Sequence, residues 1–112
     1  MKHHEYWVYM LTNSSKNVLY VGVTNSLCQR LIEHYNNRGT NNSFTGKYYC
    51  YWLVYYEVHT YINDAIAREK EIKNSVRTEK NKLVKKFNPT WMFLNRQVCG
   101  GWPPAPGSLS RG

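Results

Sequence analysis

The sequence predicts a single domain of the α+β class, in which short strands are combined with helices. Its 112 residues match the usual size of one compact domain. Two runs of β-branched and aromatic residues near the start are joined by a polar segment, a pattern typical of an antiparallel hairpin. A third such run and two stretches with helical signals follow. We assign residues 1–95 to this domain.

The hairpin strands are predicted at 6–11 and 18–24, with turn-forming residues between them. Gly22 lies inside the second strand, where glycine weakens pairing unless something approaches the backbone closely. Ser26 is a suitable N-cap for a helix over 27–35. On that helix Arg30 and His34 are four residues apart and therefore project from the same flank.

The remaining chain is predicted to contain one more strand and two more helices. The polar, glycine-bearing segment 39–47 is predicted to be a loop, and a third strand is predicted at 52–56. Helices are expected at about 63–74 and 78–87, since proline at position 89 ends the second. Residues 96–112 are rich in glycine and proline, and we expect a disordered tail there.

The charge balance favours a polyanionic partner. Fifteen Lys and Arg residues stand against seven Asp and Glu, a formal net charge of +8. Such a surplus on a small domain favours nucleic acid first and an anionic membrane surface second. The longest apolar run near the start, residues 7–11, is too short for a signal peptide or a membrane span, so we expect no membrane partner.

The cysteines suggest a reducing compartment. Cys28, Cys50 and Cys99 are odd in number and far apart, and they form no CxxC or Cys/His ligand spacing. Neither a disulfide framework nor a zinc site is indicated by this pattern. We therefore expect three free thiols and a cytoplasmic location.

Glu69 is the most informative single residue. On a helical wheel it lies within the apolar arc formed by Ala65, Ile72 and Val76. A carboxylate directed at a core is costly unless it is paired, protonated or bound to a metal. A buried Glu–Arg or Glu–Tyr pair with a purely structural role is the alternative that this pattern leaves open.

Other polar groups of the chain suit phosphodiester hydrolysis. Tyr9 and Tyr20 lie on the paired strands, and Arg30 and His34 follow on the next helix. The reaction needs a divalent ion, a means to activate water, and donors for the phosphoryl oxygens. A lone carboxylate such as Glu69 suits Mg²⁺, which commonly takes one or two protein ligands and completes its shell with water and substrate oxygens.

Taken in order, these residues resemble the GIY-YIG nuclease domain, and most closely its small single-domain bacterial members. The resemblance covers roughly residues 5–94 and is carried by the following segments: Trp7-Val8-Tyr9, Tyr20-Val21-Gly22, Arg30, His34, Phe44-Thr45-Gly46-Lys47-Tyr48, Leu53-Val54-Tyr55-Tyr56-Glu57 and Ala65-Ile66-Ala67-Arg68-Glu69. It implies a three-stranded antiparallel sheet flanked by helices, with the active site on one face of the sheet.

The resemblance also implies a role for each matching residue. Tyr9 or Tyr20 would orient or deprotonate the attacking water, and a phenol can act as a base near neutral pH only beside a cation. Arg30 would brace the scissile phosphate, and His34 would transfer a proton. Glu69 would bind the metal. Gly22 would let the backbone pass close to the site.

The chain departs from the family pattern at several positions. Trp7 replaces the glycine of the first motif, and Val21 replaces the isoleucine of the second. Val23 stands where some branches carry lysine, so one phosphate-neutralising charge is missing or is supplied by Lys47. Asn81 has the spacing of an asparagine found in some branches, although an ordinary surface role suits it equally.

Tyr48 and Lys47 are further candidates for DNA contacts, on even terms with a role as ordinary loop residues. The sequence thus predicts an endonuclease that cuts phosphodiester bonds of DNA with Mg²⁺ or Mn²⁺, by in-line attack of a tyrosine-oriented water. RNA is not excluded as a substrate. A non-catalytic nucleic-acid-binding module on the same scaffold is the rival hypothesis, and an interaction domain whose charge only aids solubility is a third.

Overall fold

A three-stranded antiparallel sheet with the order β2-β1-β3 forms the centre of the protein. This computed structural model describes residues 4–105. In chain order, the elements are β1 (Tyr6–Thr12), β2 (Leu19–Thr24), α1 (Leu27–Asn36), α2 (Phe44–Lys47), β3 (Trp52–His59), α3 (Ile62–Lys73), α4 (Arg77–Phe87) and α5 (Asn95–Cys99). The predicted α+β class and the antiparallel sheet flanked by helices are both confirmed.

Alternation along β1 divides the core into two halves. Val8 and Met10 point to one face of the sheet, where they pack with Ala65 and Ile72 of α3. Tyr9 and Leu11 point to the other face, where α1 and α5 cover them. Successive residues of a strand face opposite sides, so both faces of a central strand must be apolar when helices cover both.

The hairpin turn is stabilised by its own polar side chains. The Asn13 side-chain oxygen accepts hydrogen bonds from the backbone N–H groups of Asn17 and Val18, at 3.1 and 3.3 Å. The Thr12 hydroxyl donates to the Val18 carbonyl at 2.7 Å. Asparagine and threonine favour turns because they can satisfy nearby backbone groups in this way. The polar segment between the strands therefore closes the predicted hairpin.

The predicted loop over 39–47 contains a short helix. Ser43 accepts a hydrogen bond from the backbone N–H of Gly46 at 3.1 Å and thereby caps α2. Four residues are too few to show a helical period, so the apolar pattern gave no signal for this turn. Thr45 and Gly46 are nevertheless buried.

The prediction of a disordered tail is wrong for residues 96–102. α5 continues through Cys99, and the Trp102 ring lies against Tyr35 with ring centroids 5.5 Å apart. Asn95 joins this segment to β3, because its amide oxygen accepts from the Leu53 N–H at 2.7 Å and its amide nitrogen donates to the Tyr51 carbonyl at 2.8 Å. Residues 106–112 of the predicted tail lie outside the described residues.

The prediction of three free thiols is also wrong. Cys28 and Cys99 form a disulfide, and their Cα atoms are 5.2 Å apart. They are separated by 71 residues in sequence, so only the packing of α5 against α1 brings them together. Cys50 is free and buried. The argument from free thiols to a reducing compartment therefore loses its main support.

The structure also bears on the membrane prediction. Within residues 4–105, no helix combines the length and the apolar character that crossing a membrane requires.

We expect the substitution Asn95→Ala to destabilise the protein by roughly 2–3 kcal/mol, because it leaves the buried Leu53 N–H without an acceptor. Urea denaturation followed by circular dichroism measures this loss. The exposed Asn42→Ala is the matched control and should change the free energy of unfolding by less than about 0.5 kcal/mol. Equal effects of the two substitutions would contradict the role assigned to Asn95.

Candidate active site

The two tyrosines of the hairpin lie side by side on the sheet face that α1 covers. Tyr9 pairs with Gly22 across the β1–β2 ladder, and the rings of Tyr9 and Tyr20 have centroids 6.3 Å apart. A Cβ atom at Gly22 would lie 2.6 Å from the Tyr9 Cζ and Oη atoms and 2.9 Å from Tyr20 Cε2. The glycine therefore makes room for both phenols, which is the close approach that its position in a strand suggested.

His34 joins the sheet to α2. Its Nε2 atom is 3.1 Å from the Tyr9 hydroxyl, and its Nδ1 atom is 2.9 Å from the Thr45 hydroxyl. The Tyr20 ring meets the imidazole edge-on, with centroids 5.6 Å apart. Both nitrogens of His34 are thus engaged, and its ring is fixed between β1 and α2.

Arg30 lies one helical turn before His34 on α1. Its Nη1 atom donates to Glu33 Oε1 at 3.0 Å, and the guanidinium also interacts with the Tyr9 hydroxyl. The hydrogen bond to Glu33 and the contact with Tyr9 raise the pKa of Arg30, so the guanidinium keeps its charge. Glu33 was not predicted as a site residue, although its spacing of three residues from Arg30 on one helix is a detectable signal.

Burial controls the protonation of Tyr9 and His34. Tyr9 is fully buried, which raises its pKa well above the usual value of a phenol; Tyr20 adds to this shift and Arg30 opposes it. Burial also lowers the pKa of His34 to about 4, and the charge of Arg30 acts in the same direction. At neutral pH Tyr9 is therefore a protonated phenol and His34 a neutral imidazole.

These protonation states make His34 a donor at one ring nitrogen and an acceptor at the other. The Tyr9 hydroxyl has a proton to donate, and the neutral imidazole has one nitrogen that accepts. When the Tyr9 hydroxyl donates to Nε2 of His34, the ring proton lies on Nδ1 and is donated to the Thr45 hydroxyl. Ser43 continues the chain, with its hydroxyl 3.3 Å from that of Thr45. Thr45 and Ser43 were not predicted, since nothing in the spacing of a polar loop marks them.

A solvent-open cleft of about 280 Å³ lies beside this network. Its lining residues are Tyr20, Arg30, Glu33, His34, Asn37, Ser43, Phe44 and Thr45. Three of the predicted site residues, Tyr20, Arg30 and His34, thus meet in one hollow. Tyr9 lies underneath them.

Glu69 lies on the helix that packs against the other face of the sheet, and the residues that line the cleft do not include it. It is carried by α3, which packs against β1 and β2, and β2 is an edge strand. Its side chain is only 13% exposed, as expected from its position on the inward arc, and its carboxylate pairs with Lys73 at 3.1 Å. Among the described residues, the hydrogen bonds and ion pairs that link Tyr9, Arg30 and His34 do not include Glu69. Val76, which was expected in the same arc, is exposed.

The weaker candidates for DNA contacts lie in two separate places. Lys47 and Tyr48 are beside the cleft at the end of α2, where the Lys47 ammonium is 5.4 Å from the centre of the Tyr48 ring. Asn81 lies on α4, and its side-chain oxygen accepts a hydrogen bond from Arg77 at 2.9 Å. Asn81 is therefore hydrogen-bonded within its own helix, on the surface of α4.

Comparison with known families identifies the class of this domain. The sequence model of the GIY-YIG catalytic domain matches residues 5–83, which is most of the chain. The chain therefore belongs to the GIY-YIG family, whose domains are endonucleases that act on DNA. Searches of the curated proteins and of the solved structures gave no match.

We expect Gly22→Ala to disturb the site and the core together. The added methyl group would meet the Tyr9 ring at 2.6 Å, and overpacking of this kind typically costs about 1–3 kcal/mol. Thermal denaturation should show the loss. Gly101→Ala is the matched control, because a Cβ there meets nothing within 4 Å. Unchanged stability of the Gly22 variant would contradict the packing described here.

His34 should make stability depend on pH. Its pKa in the folded protein, about 4, lies below the usual value near 6.5, so the unfolded chain binds a proton first as pH falls. The contribution of His34 to the free energy of unfolding is complete above pH ~6.5. It falls by roughly 2–3 kcal/mol between pH ~6.5 and ~4. Urea denaturation across this range should show a steeper loss for the wild type than for His34→Gln. Parallel curves would contradict the assignment.

Proposed function

We propose that the protein is a divalent-metal-dependent endonuclease that hydrolyses phosphodiester bonds of DNA. The observation that carries the proposal is the cleft in which Tyr20, Arg30 and His34 meet, within a chain of a nuclease family. This cleft combines a permanent cation with a phenol and a rigidly held imidazole. Hydrolysis of a phosphodiester needs both charge stabilisation and an oriented water.

Arg30 would bind the phosphoryl oxygens. Its guanidinium lines the cleft and is held by its ion pair with Glu33. Donors fixed in advance need little reorganisation when charge develops on the phosphate, which is the main source of electrostatic catalysis. The planar fork of arginine also fits two oxygens of one phosphate.

We propose that the Tyr20 phenol orients the attacking water. It is partly exposed and lines the cleft, whereas Tyr9 is fully buried with a raised pKa. A buried phenol that keeps its proton neither touches substrate nor acts as a base near neutral pH. We therefore propose that Tyr9 is a positioning residue, which holds His34 and Arg30.

His34 would orient the site more than transfer protons. Both of its nitrogens are engaged, with Tyr9 and Thr45, and its lowered pKa makes it a weak base. Its ring packs edge-on against Tyr20. Through this contact, the imidazole limits the positions that the Tyr20 phenol can take.

Glu69 has the chemistry required to hold Mg²⁺ or Mn²⁺. Within residues 4–105, no group of three or more His, Cys, Asp and Glu side chains is placed to bind a metal, so an ion there would have few protein ligands, as Mg²⁺ commonly does. The Glu69 carboxylate is well shielded, and a metal ion would replace its partner Lys73, which is more than half exposed. When bound, the ion would supply Lewis-acid stabilisation of the charge on the leaving oxygen.

We expect Glu69→Gln to abolish cleavage while DNA binding remains. Loss of a metal that contributes several kcal/mol to the transition state corresponds to a rate loss of roughly a thousandfold or more. Cleavage of labelled flapped, branched and single-stranded DNA, with and without Mg²⁺, measures it. Salt-dependent affinity should persist, because phosphate contacts of the basic surface dominate binding.

Glu71→Gln is the matched control for this experiment. Glu71 lies on the same helix, pairs with Arg68 at 2.8 Å and is mostly exposed, so its loss should leave cleavage unchanged. A Glu69 variant that cuts as fast as the wild type would refute the metal assignment. A wild-type protein that binds every substrate but gives no metal-dependent product would favour the non-catalytic binding module instead.

A further inference from the structure

Two exposed aromatic side chains lie at the mouth of the cleft. Phe44 and Tyr48, at the beginning and the end of α2, are 47% and 42% exposed. Large apolar rings in contact with water lower stability relative to buried ones. We refer to the pair Phe44 and Tyr48 as the stacking surface.

The stacking surface is continuous with the cleft. The Phe44 ring lies nearly parallel to that of Tyr20, with centroids 6.3 Å apart and an interplanar angle of 25°. The Tyr48 ring follows, 4.8 Å from that of Phe44. Tyr20 and Phe44 both line the cleft, so the aromatic faces run outward from the point where the phosphate would bind.

Lys47 places a positive charge at the stacking surface, whereas Arg30 in the cleft is paired with Glu33. No Asp or Glu occurs in the sequence between Glu33 and Glu57, whereas Arg38 and Lys47 do. The Lys47 ammonium lies over the Tyr48 ring, and Arg30 lies within the cleft. Aromatic faces interleaved with cations are typical of surfaces that bind single-stranded nucleic acid, where bases stack and phosphates pair with charge.

We propose that Phe44 and Tyr48 stack on an unpaired base next to the scissile phosphate, an inference that rests on the proposed nuclease function. The base faces of a duplex are covered by their neighbours, so a side chain can stack on a base only where it is unpaired or has been extruded. The substrate class is therefore DNA with single-stranded character at the cut site, and a continuous duplex is a poor substrate.

Metal-free binding tests this proposal without requiring cleavage. The probe is a short oligothymidine with one central 2-aminopurine, compared in EDTA with a blunt duplex of equal length. The double variant Phe44→Leu/Tyr48→Leu keeps apolar bulk but removes both ring faces. Tyr61→Leu is the matched control, since Tyr61 is 69% exposed, precedes α3 as its N-cap and is not among the residues that line the cleft.

For the wild type and the Tyr61 variant, we expect tighter binding of the single strand than of the duplex, with a change in 2-aminopurine emission on binding. The double variant should lose roughly 5- to 150-fold in single-strand affinity, because stacking on a side chain contributes about 1–3 kcal/mol per base. Its duplex affinity and salt dependence should stay within about twofold, since no charge is changed. The retained duplex affinity of the double variant excludes a folding defect as the cause, and Phe44→Trp should retain the emission change because it keeps a ring face at that position.

An equal loss of affinity for both probes, or no loss for the single strand, would overturn the stacking proposal. Neither result would affect the metal-dependent cleavage assigned to Glu69. Conversely, a protein that shows the single-strand preference but yields no product with Mg²⁺ would support the stacking surface and refute the proposed nuclease activity. The two failures are therefore distinguishable.

Discussion

The central position of β1 is the constraint on which the rest of the structure depends. Because β1 pairs on both edges and is covered on both faces, its residues from Val8 to Thr12 are all buried. Alternation then sends Val8 and Met10 towards α3, and Tyr9 and Leu11 towards α1. A tyrosine in such a place must find hydrogen-bonding partners inside the protein, since an unpaired buried hydroxyl is costly. The polar network around Tyr9 is the consequence.

The hydrogen bonds that the buried Tyr9 hydroxyl requires also set the geometry of the site. Tyr9 satisfies its hydroxyl with His34, and His34 in turn reaches the buried Thr45 on α2. The imidazole links three elements that share no backbone hydrogen-bond ladder. The glycine opposite Tyr9 contributes by having no side chain. Site and core are therefore not separable on this face of the sheet, because one set of contacts orders both.

The hairpin, α1 and α3 could be predicted from the sequence because each has a local signal: period-two alternation, turn residues, or apolar recurrence at helical spacing. The same kind of signal placed Glu69 on an inward face. The sequence could not show that Tyr9 is buried more deeply than Tyr20. The two residues share a face and differ only in that Tyr9 lies on the central strand and Tyr20 on an edge strand. The disulfide and α5 were missed because their contacts join residues far apart in sequence, as Asn95 and Leu53 do. Local patterns carry no information about such contacts.

The C-terminal segment has one further consequence, for the outer side of β3. The Leu94 N–H donates to the Leu53 carbonyl at 2.8 Å, and the Asn95 amide occupies the Leu53 N–H and the Tyr51 carbonyl. Bare backbone groups at a sheet margin are a template on which another chain can add a strand. Residues 94 and 95 fill those groups at the start of β3, so this segment removes one part of the sheet margin as a template for strand addition as well as completing the core.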